Sequence, residues 1–204
     1  MSPVGDLAAF LAGQPVALRA AEWAARAHDG QERVVDGAPF LLHPLEVALI
    51  LHVAGYRGDA LAAALLHDVV EKGEVTQEQL RAEFGDRIAG LVAALTEDGG
   101  ISGYDERKAD LRARAAEADD EAVLAVFAAD KIAKARELRL AAAADRLPAD
   151  EVASRRAHYR DSLDLLERRL PGHPLTDALR FELELQTRVP ALSWLADRAR
   201  AAAQ

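Results

Sequence analysis

Two histidines and two aspartates of this chain have the types and spacing of a metal site. His43 begins one predicted helix, His67 and Asp68 are adjacent near the end of the next, and Asp130 lies far along the chain in an apolar run. A charge buried in an apolar helix is costly unless it has a partner, and a metal ion is one such partner. This mixed nitrogen and oxygen set suits Mn²⁺, Fe²⁺, Zn²⁺ or Mg²⁺ rather than thiophilic ions. A bound divalent ion would lower the pKa of a water molecule and polarise a phosphoryl oxygen.

Glu71 is the candidate for handling that water molecule. It follows His67 by four residues and Asp68 by three, so the three side chains share one face if the helix is continuous. A carboxylate beside a metal ion can orient a water molecule or take its proton. We therefore expect Glu71 to be a catalytic residue.

Each of these residues also has a purely structural interpretation. A His-Asp dipeptide is common, and His43 has the position of a helix cap. Asp130 is alternatively held by a buried ion pair with Lys131 or Lys134. The metal site is favoured because four candidates occur together with suitable flanking residues.

The segments that must position these residues have the pattern of helices. Alanine, leucine and arginine dominate, and no alternating run of β-branched residues predicts a sheet. The stretch Gly58–Glu71 is almost wholly apolar, which predicts one buried helix with Asp59 as its N-cap. The other predicted helices are Pro15–His28, Leu41–Ala54, a short helix begun by a capping box at Thr76–Gln79 and broken at Phe84–Asp86, Asp86–Thr96, Tyr104–Ala118, a helix capped by Asp119 or Asp120 that ends near Ala144, Asp150–Leu170, Leu175–Thr187 and Ala191–Ala203.

The length and composition predict an all-α protein with one domain and a small extension. The chain has 204 residues, enough for a sizeable core. The break at Pro171–Pro174 is the only candidate boundary in the sequence. We expect residues 1–170 to form the main domain and residues 171–204 to form a C-terminal helical extension packed on it.

Charge and cysteine content limit the partners. The formal net charge of -9 argues against DNA or RNA, which need a basic surface. A small phosphorylated substrate remains compatible, because a local cation cluster or a metal ion can reverse the local field. The absence of cysteine rules out disulfides and thiolate zinc sites and is compatible with the cytoplasm, where we expect the protein to act. We expect no secretory leader and no membrane span.

Six stretches carry a more specific resemblance over about residues 18–166. They are AHDGQER (Ala27–Arg33), GAPFLLHPLEVALIL (Gly37–Leu51), ALLHDVVE (Ala64–Glu71), FGDRIAGLVAALTED (Phe84–Asp98), ERK (Glu106–Lys108) and AADKIAKARELR (Ala128–Arg139). In these stretches the chain resembles the HD-domain metal-dependent phosphohydrolases, and more narrowly the hydrolase domain of RelA/SpoT proteins and the Mesh1-type small alarmone hydrolases. The resemblance implies an HD-domain helical bundle; we expect roughly eight to ten helices in the chain, with the HD domain over residues 1–170. It also implies Mn²⁺ and the removal of pyrophosphate from the 3′ position of (p)ppGpp.

The resemblance assigns roles residue by residue. Glu71 falls on the first acid of a Glu-Asp pair of the family. The positions that match metal ligands are His43, His67, Asp68 and Asp130, and those that match the substrate side are Arg33, Arg107, Lys108 and Tyr159.

Three positions depart from the family pattern. Lys72 replaces the second acid of the pair, Lys134 replaces an asparagine, and Val34 replaces a basic residue. Both lysines either contact phosphate, signal an altered substrate or a weakened enzyme, or lie on the solvent face. A divalent ion repels an ammonium group, so we expect Lys72 at the rim of the pocket, reaching substrate rather than metal.

The leading interpretation is therefore a phosphohydrolase of (p)ppGpp. The alternative enzymes act on another nucleotide, such as a nucleoside monophosphate or NADPH. A second class is a metal-binding or nucleotide-sensing protein without turnover, which Lys72 and Lys134 favour. The intact set of four candidate ligands argues against a third class, a structural interaction module.

Overall fold

The described part of the chain is an all-α bundle, as the sequence predicts. The computed structural model describes residues 9–188, in which the β structure is an isolated bridge between Glu32 and Pro39. A short 3₁₀ turn covers Ala9–Leu11. The α-helices are α1 (Pro15–Ala27), α2 (Leu42–Val53), α3 (Asp59–Leu66), α4 (Val69–Lys72), α5 (Gln77–Leu95), α6 (Tyr104–Glu117), α7 (Glu121–Ala143), α8 (Ala149–Arg169) and α9 (Pro174–Arg188).

Several helix ends form as the sequence predicts. At the start of α5, the Gln79 N–H donates to Thr76 Oγ1 (3.2 Å) and the Thr76 N–H donates to Gln79 Oε1 (2.8 Å). Asp120 caps α7 by accepting a hydrogen bond from the Ala122 N–H at 3.0 Å. The predicted break in α5 is confirmed at Gly85, whose φ of 81° and ψ of 171° interrupt the helix. These local signals satisfy backbone groups that the helix cannot satisfy itself.

The predicted single helix over Gly58–Glu71 is wrong in two respects. The helix ends at Leu66, and His67 and Asp68 form a turn before the short helix α4 begins at Val69. Adjacent side chains on a continuous helix diverge by about 100°, so the turn allows both residues to face the same centre. Asp59 is also not the N-cap, because Gly58 takes that position with a φ of 58°, which favours glycine.

The two innermost helices carry the candidate site. Every residue of α3 from Ala60 to Leu66 is buried, and it packs against α1, α2, α5 and α7. The helix α7 is buried continuously from Ala122 to Ala133. Both helices are rich in alanine, whose small side chain allows close approach of neighbouring backbones. Asp130 is therefore held within the closely packed core, and His67 and Asp68 directly follow a buried helix.

The first helix of the predicted extension packs on the same core. Leu175, Leu179 and Leu183 of α9 are buried with the apolar side chains of the bundle, and α9 lies against α7 and α8. The helix predicted at Ala191–Ala203 lies outside the described residues. The division of the chain at residue 170 stays a prediction. Within the described range, no helix is both long enough and apolar enough to cross a membrane.

Candidate metal centre and adjoining cavity

Three elements bring a histidine and aspartate cluster together at the centre of the bundle. His43 lies in the first turn of α2, His67 in the turn after α3, and Asp130 on α7. One ligand atom from each residue lies within 4.8 Å of the others, and all three residues are buried. Asp130 Oδ1 is 3.1 Å from His43 Nε2 and 3.5 Å from His67 Nε2. Asp68 joins them, with Oδ2 at 3.4 Å from His67 Nε2 and 3.6 Å from His43 Nε2.

The donor atoms of this cluster fit a divalent metal ion. His43 Nε2, His67 Nε2 and Asp130 Oδ1 are buried without a hydrogen-bond partner within the described range. His67 Nδ1 lies 2.7 Å from the Ala64 carbonyl oxygen, so its proton is donated there and the lone pair of the neutral ring is left on Nε2. Such an outward hydrogen bond is the usual way in which a protein orients a metal-binding imidazole.

Burial and charge set the pKa values of the cluster. Burial lowers the pKa of His43 to about 4, so its ring is neutral at pH 7. Burial also disfavours charge on His67, but the Asp68 and Asp130 carboxylates outweigh it and raise the pKa of His67. Burial alone would raise the pKa of each aspartate. The charges of His67 and Lys134 hold the pKa of Asp68 well below its usual value, and Lys131 and Lys134 do the same for Asp130. Both aspartates are therefore carboxylates at neutral pH.

Three lysines contact the two aspartates. Lys131 Nζ is 2.7 Å from Asp130 Oδ2, and Lys134 Nζ is 3.0 Å from Asp130 Oδ1. Lys72 Nζ is 2.7 Å from Asp68 Oδ2. The ion pairs that the sequence offered as an alternative for Asp130 therefore exist beside the histidine cluster. Lys131 is nearly fully buried, and burial outweighs its carboxylate partner and lowers its pKa to about 8.

The expected orientation of Lys72 is wrong. Its side chain does not turn away from the candidate ligands, because it follows Asp68 by four residues and the carboxylate attracts the ammonium group. The same ammonium group lies 4.5 Å from the centre of the Phe40 ring. Lys72 nevertheless lines the cavity beside the cluster, as a rim position requires.

A cavity of about 620 Å³ opens beside His43. Four residues singled out from the sequence line it: Arg33, Lys72, Lys134 and Tyr159. Val34, also noted in the sequence, lies at the same edge and is 93% exposed. The cavity therefore joins the histidine cluster to a wall of cationic side chains.

Three of the residues predicted to be catalytic or to bind substrate lie outside this lining, as do the candidate ligands His67, Asp68 and Asp130. Arg107 and Lys108 both form ion pairs with Glu97, and Arg107 also donates to the carbonyl oxygens of Ile101 and Ser102. Glu71 is an exposed residue of α4. Glu71 is therefore close to His67 and Asp68 in sequence. Its side chain, however, forms no hydrogen bond or ion pair with the four candidate ligands.

The cavity also contains Phe40, Glu137 and Arg155, which the sequence analysis did not single out. Glu137 follows Asp130 by seven residues, so helical periodicity alone could have found it. Arg155 precedes Tyr159 by one helical turn, which is a similar signal. Phe40 lies before the first turn of α2 in an irregular loop, where no periodicity applies.

The bundle and its cluster define a class, that of helical domains built around a buried histidine and aspartate centre. Within this class the chain belongs to the HD domain family, whose profile matches residues 20–155. A solved metazoan ortholog of SpoT, described as hydrolysing ppGpp, superposes with a TM-score of 0.74 at 25% identity, covering 85% of this chain and 96% of the other.

Two curated relatives are similar in sequence. The guanosine-3′,5′-bis(diphosphate) 3′-pyrophosphohydrolase of Aquifex aeolicus is 36% identical over 115 residues, which is 56% of this chain and 16% of the relative. The enzyme of the same name called MESH1 in Homo sapiens is 43% identical over 84 residues, which is 40% of this chain and 47% of the relative. The chain therefore matches less than half the length of each of these two relatives.

Proposed function

We propose that this chain is a divalent-metal-dependent phosphohydrolase that removes the 3′ pyrophosphate of (p)ppGpp. One observation carries the proposal: among the described residues, two buried histidine nitrogens without a hydrogen-bond partner converge with the Asp130 carboxylate beside a cavity whose lining includes four cations. Buried polar atoms without partners are rare in folded proteins and call for an explanation. The activities named for the two curated relatives and the solved ortholog support the choice of substrate.

The proposed ligands are His43, His67, Asp68 and Asp130, and Mn²⁺ is the proposed ion, with Zn²⁺, Fe²⁺ and Mg²⁺ as alternatives. When bound, the ion would acidify a water molecule and polarise a phosphoryl oxygen. A small nucleotide is the proposed partner, without DNA or RNA, and a cytoplasmic location is part of the same proposal.

The remaining side chains would bind substrate and move a proton. Arg33, Lys134 and Tyr159 lie in the cavity lining, where two cations and a phenol suit phosphate oxygens. Lys72, in the same lining, would be shared between Asp68 and the substrate. Roles in substrate binding for Arg107 and Lys108 rest on the family resemblance. Both residues would have to leave Glu97 to contact phosphate.

Glu71 is proposed to take the proton of the attacking water molecule. Its exposed side chain is free to turn, and it directly precedes Lys72 at the cavity. Glu71→Gln is nearly isosteric but cannot accept a proton, so turnover should fall by about 10²- to 10⁴-fold. Metal affinity, measured by calorimetry, should not change. Turnover near that of the wild type in metal-loaded protein would remove Glu71 from the mechanism.

The direct test is pyrophosphate release from ppGpp by the purified protein with Mn²⁺ and with a chelator. We expect release only with the metal ion, and none from an Asp130→Asn variant. A panel with a nucleoside monophosphate and NADPH separates (p)ppGpp from the alternative substrates. Release that is insensitive to the chelator and to Asp130→Asn would contradict a metal-dependent reaction.

A nucleotide sensor without turnover is the second candidate. The ion pairs of Lys72 and Lys134 with the candidate ligands favour it, because ammonium groups compete with a metal ion for the carboxylates. Saturable binding of ppGpp without release of pyrophosphate under any metal condition would support the sensor over the enzyme.

A further inference from the structure

Glu137 is one of two acidic residues, with Glu32, in the lining of a cavity whose other charged side chains are cations. It shares that lining with Arg33, Lys134 and Arg155. No hydrogen bond or ion pair joins its carboxylate to another residue of the described range. Its pKa is raised by burial, against the effect of Arg33 and Lys134. A half-buried carboxylate without a partner is available to a ligand that donates hydrogen bonds.

The helix α7 orders three different groups along the cavity. Asp130, Lys134 and Glu137 are spaced by four and three residues, so they share one helical face. At 1.5 Å per residue, Lys134 lies about 6 Å and Glu137 about 10 Å from Asp130 along the helix axis. The order from one end is therefore a candidate metal ligand, a cation suited to phosphate, and a hydrogen-bond acceptor. A nucleotide whose reacting phosphate is at the cluster would extend towards the acceptor with its sugar and base.

We propose that Glu137 is a specificity-determining residue that accepts hydrogen bonds from the base and selects guanine. The inference rests on the proposed function and identifies what the cavity recognises beyond phosphate. Guanine presents N1–H and the N2 amine side by side, and one carboxylate can accept both. Adenine presents an acceptor at N1, which an ionised carboxylate repels. Hypoxanthine keeps N1–H but lacks the amine, so it loses one of the two bonds.

The apolar residues of the lining suit the same ligand. Val34, Val35 and Leu138 line the cavity together with Glu137. Val34 is almost fully exposed at this edge, so a bound purine ring would cover it. Contacts with the ring faces would not distinguish one purine from another, which leaves selection to the acceptor at the edge of the base.

The test compares ppGpp with inosine 3′,5′-bis(diphosphate), which differs only by the missing amine. We expect the wild type with Mn²⁺ to prefer ppGpp in kcat/KM by roughly 10- to 150-fold, the range of one hydrogen bond to a charged group. In Glu137→Gln this ratio should fall to about threefold or less, because the amide offers one acceptor in place of two. The loss of a negative charge strengthens binding of both anions equally, so it cancels in the ratio. Glu117→Gln, an exposed acid at the end of α6, removes the same charge and should keep the ratio of the wild type.

Failure of this inference is distinguishable from failure of the proposed function. Turnover with the same ratio in the wild type and in Glu137→Gln overturns the role of Glu137 and leaves the hydrolase intact. If no variant turns over either nucleotide, the hydrolase proposal fails. The dissociation constants of the same two nucleotides, measured by calorimetry, then decide whether Glu137 selects the amine. Absence of binding by both nucleotides overturns both proposals.

Discussion

Lys72 takes part in two interactions that compete with the proposed chemistry. Its ammonium group pairs with the carboxylate of Asp68, and it also lies over the face of Phe40. A lysine in this position supplies positive charge at the place where a divalent ion would supply it. It therefore lowers the affinity of the site for metal while keeping Asp68 ionised. A single substitution of Lys72 can test whether the competition with the metal ion is measurable.

We predict that Lys72→Met strengthens Mn²⁺ binding. The substitution removes the cation that competes for Asp68 and keeps an unbranched side chain that is one atom shorter. A partly exposed ion pair is worth ~1 kcal/mol, which corresponds to about a fivefold lower dissociation constant. Calorimetric titration of metal-free protein measures this constant. The control is Arg26→Met, which removes a positive charge in α1 outside the cluster. It should leave the dissociation constant for Mn²⁺ unchanged. An unaltered constant in Lys72→Met would mean that Lys72 does not compete with the ion.

His158 is a buried imidazole outside the cluster, and it predicts a pH dependence of stability. Burial together with Lys131 and Lys108 lowers its pKa to about 2, and its Nδ1 accepts a hydrogen bond from Arg112 at 2.6 Å. The folded chain therefore cannot bind a proton there, whereas the unfolded chain binds one below its ordinary pKa of about 6.5. This contribution to stability is complete above that pKa and is lost as the pH falls below it.

We predict that His158→Gln flattens the acid side of the stability profile. Between about pH 6.5 and 5, the free energy of unfolding of the wild type should fall by ~1–2 kcal/mol more than that of the variant. Urea unfolding at both pH values, with chelator present throughout, measures the difference. Equal slopes would show that His158 takes up a proton in the folded protein.

At the scale of elements, the break in α5 rests on one glycine. Gly85 has a φ of 81° and ψ of 171°, a region open to glycine and strained for other residues. Gly90 lies later in the same helix, is exposed, and has open space around the position of an added Cβ. The two positions form a matched pair, because the same substitution has opposite consequences at each.

We predict that Gly85→Ala destabilises the protein by about 1–3 kcal/mol. Gly90→Ala should instead stabilise it by up to about 1 kcal/mol, since alanine is the better helix former. Urea unfolding monitored by circular dichroism gives both values. A stabilising effect at position 85 would mean that α5 is continuous in solution.

Most of the helices could be predicted, because their ends carry local chemical signals. Thr76 and Gln79 form the predicted capping box, and Asp120 caps α7. The turn at His67 and Asp68 could not be predicted, since the surrounding residues are apolar and favour an unbroken helix. The residues that His67 and Asp68 meet at this turn, His43 and Asp130, are distant in sequence.

In the candidate site, too, some features could be predicted from the sequence and others could not. His43, His67, Asp68 and Asp130 were identifiable from residue type and family pattern, and they converge. The direction of the Lys72 side chain was missed, although its spacing of four residues from Asp68 permits the ion pair that forms. The lining residue Phe40 was missed for a related reason, since its place is set by the packing of a loop.

At the scale of the whole molecule, a metal ion would join helices that are far apart along the chain. We predict that a chelator lowers the melting temperature and that Mn²⁺ restores it. At about one hundred times the dissociation constant, binding to the folded state adds ~2.7 kcal/mol, or roughly 5–10 °C for a chain of this size. Differential scanning fluorimetry measures the shift.

The control for this measurement is His43→Gln, which removes one proposed ligand. Its melting temperature should no longer respond to Mn²⁺. Identical melting curves of the wild type with Mn²⁺ and with chelator would exclude a metal ion from the stability of the bundle.

The origin of the cluster in three separate elements also determines when it forms during folding. His43, His67 and Asp130 belong to three different elements, so the donor atoms meet only after α2, the turn after α3, and α7 have docked. Individual helices form in roughly a microsecond, whereas contacts between distant segments form more slowly because long loops must close first. A refolding chain therefore regains its helical circular dichroism signal before it can bind the ion. The rate of ion binding would then report the last docking step of folding.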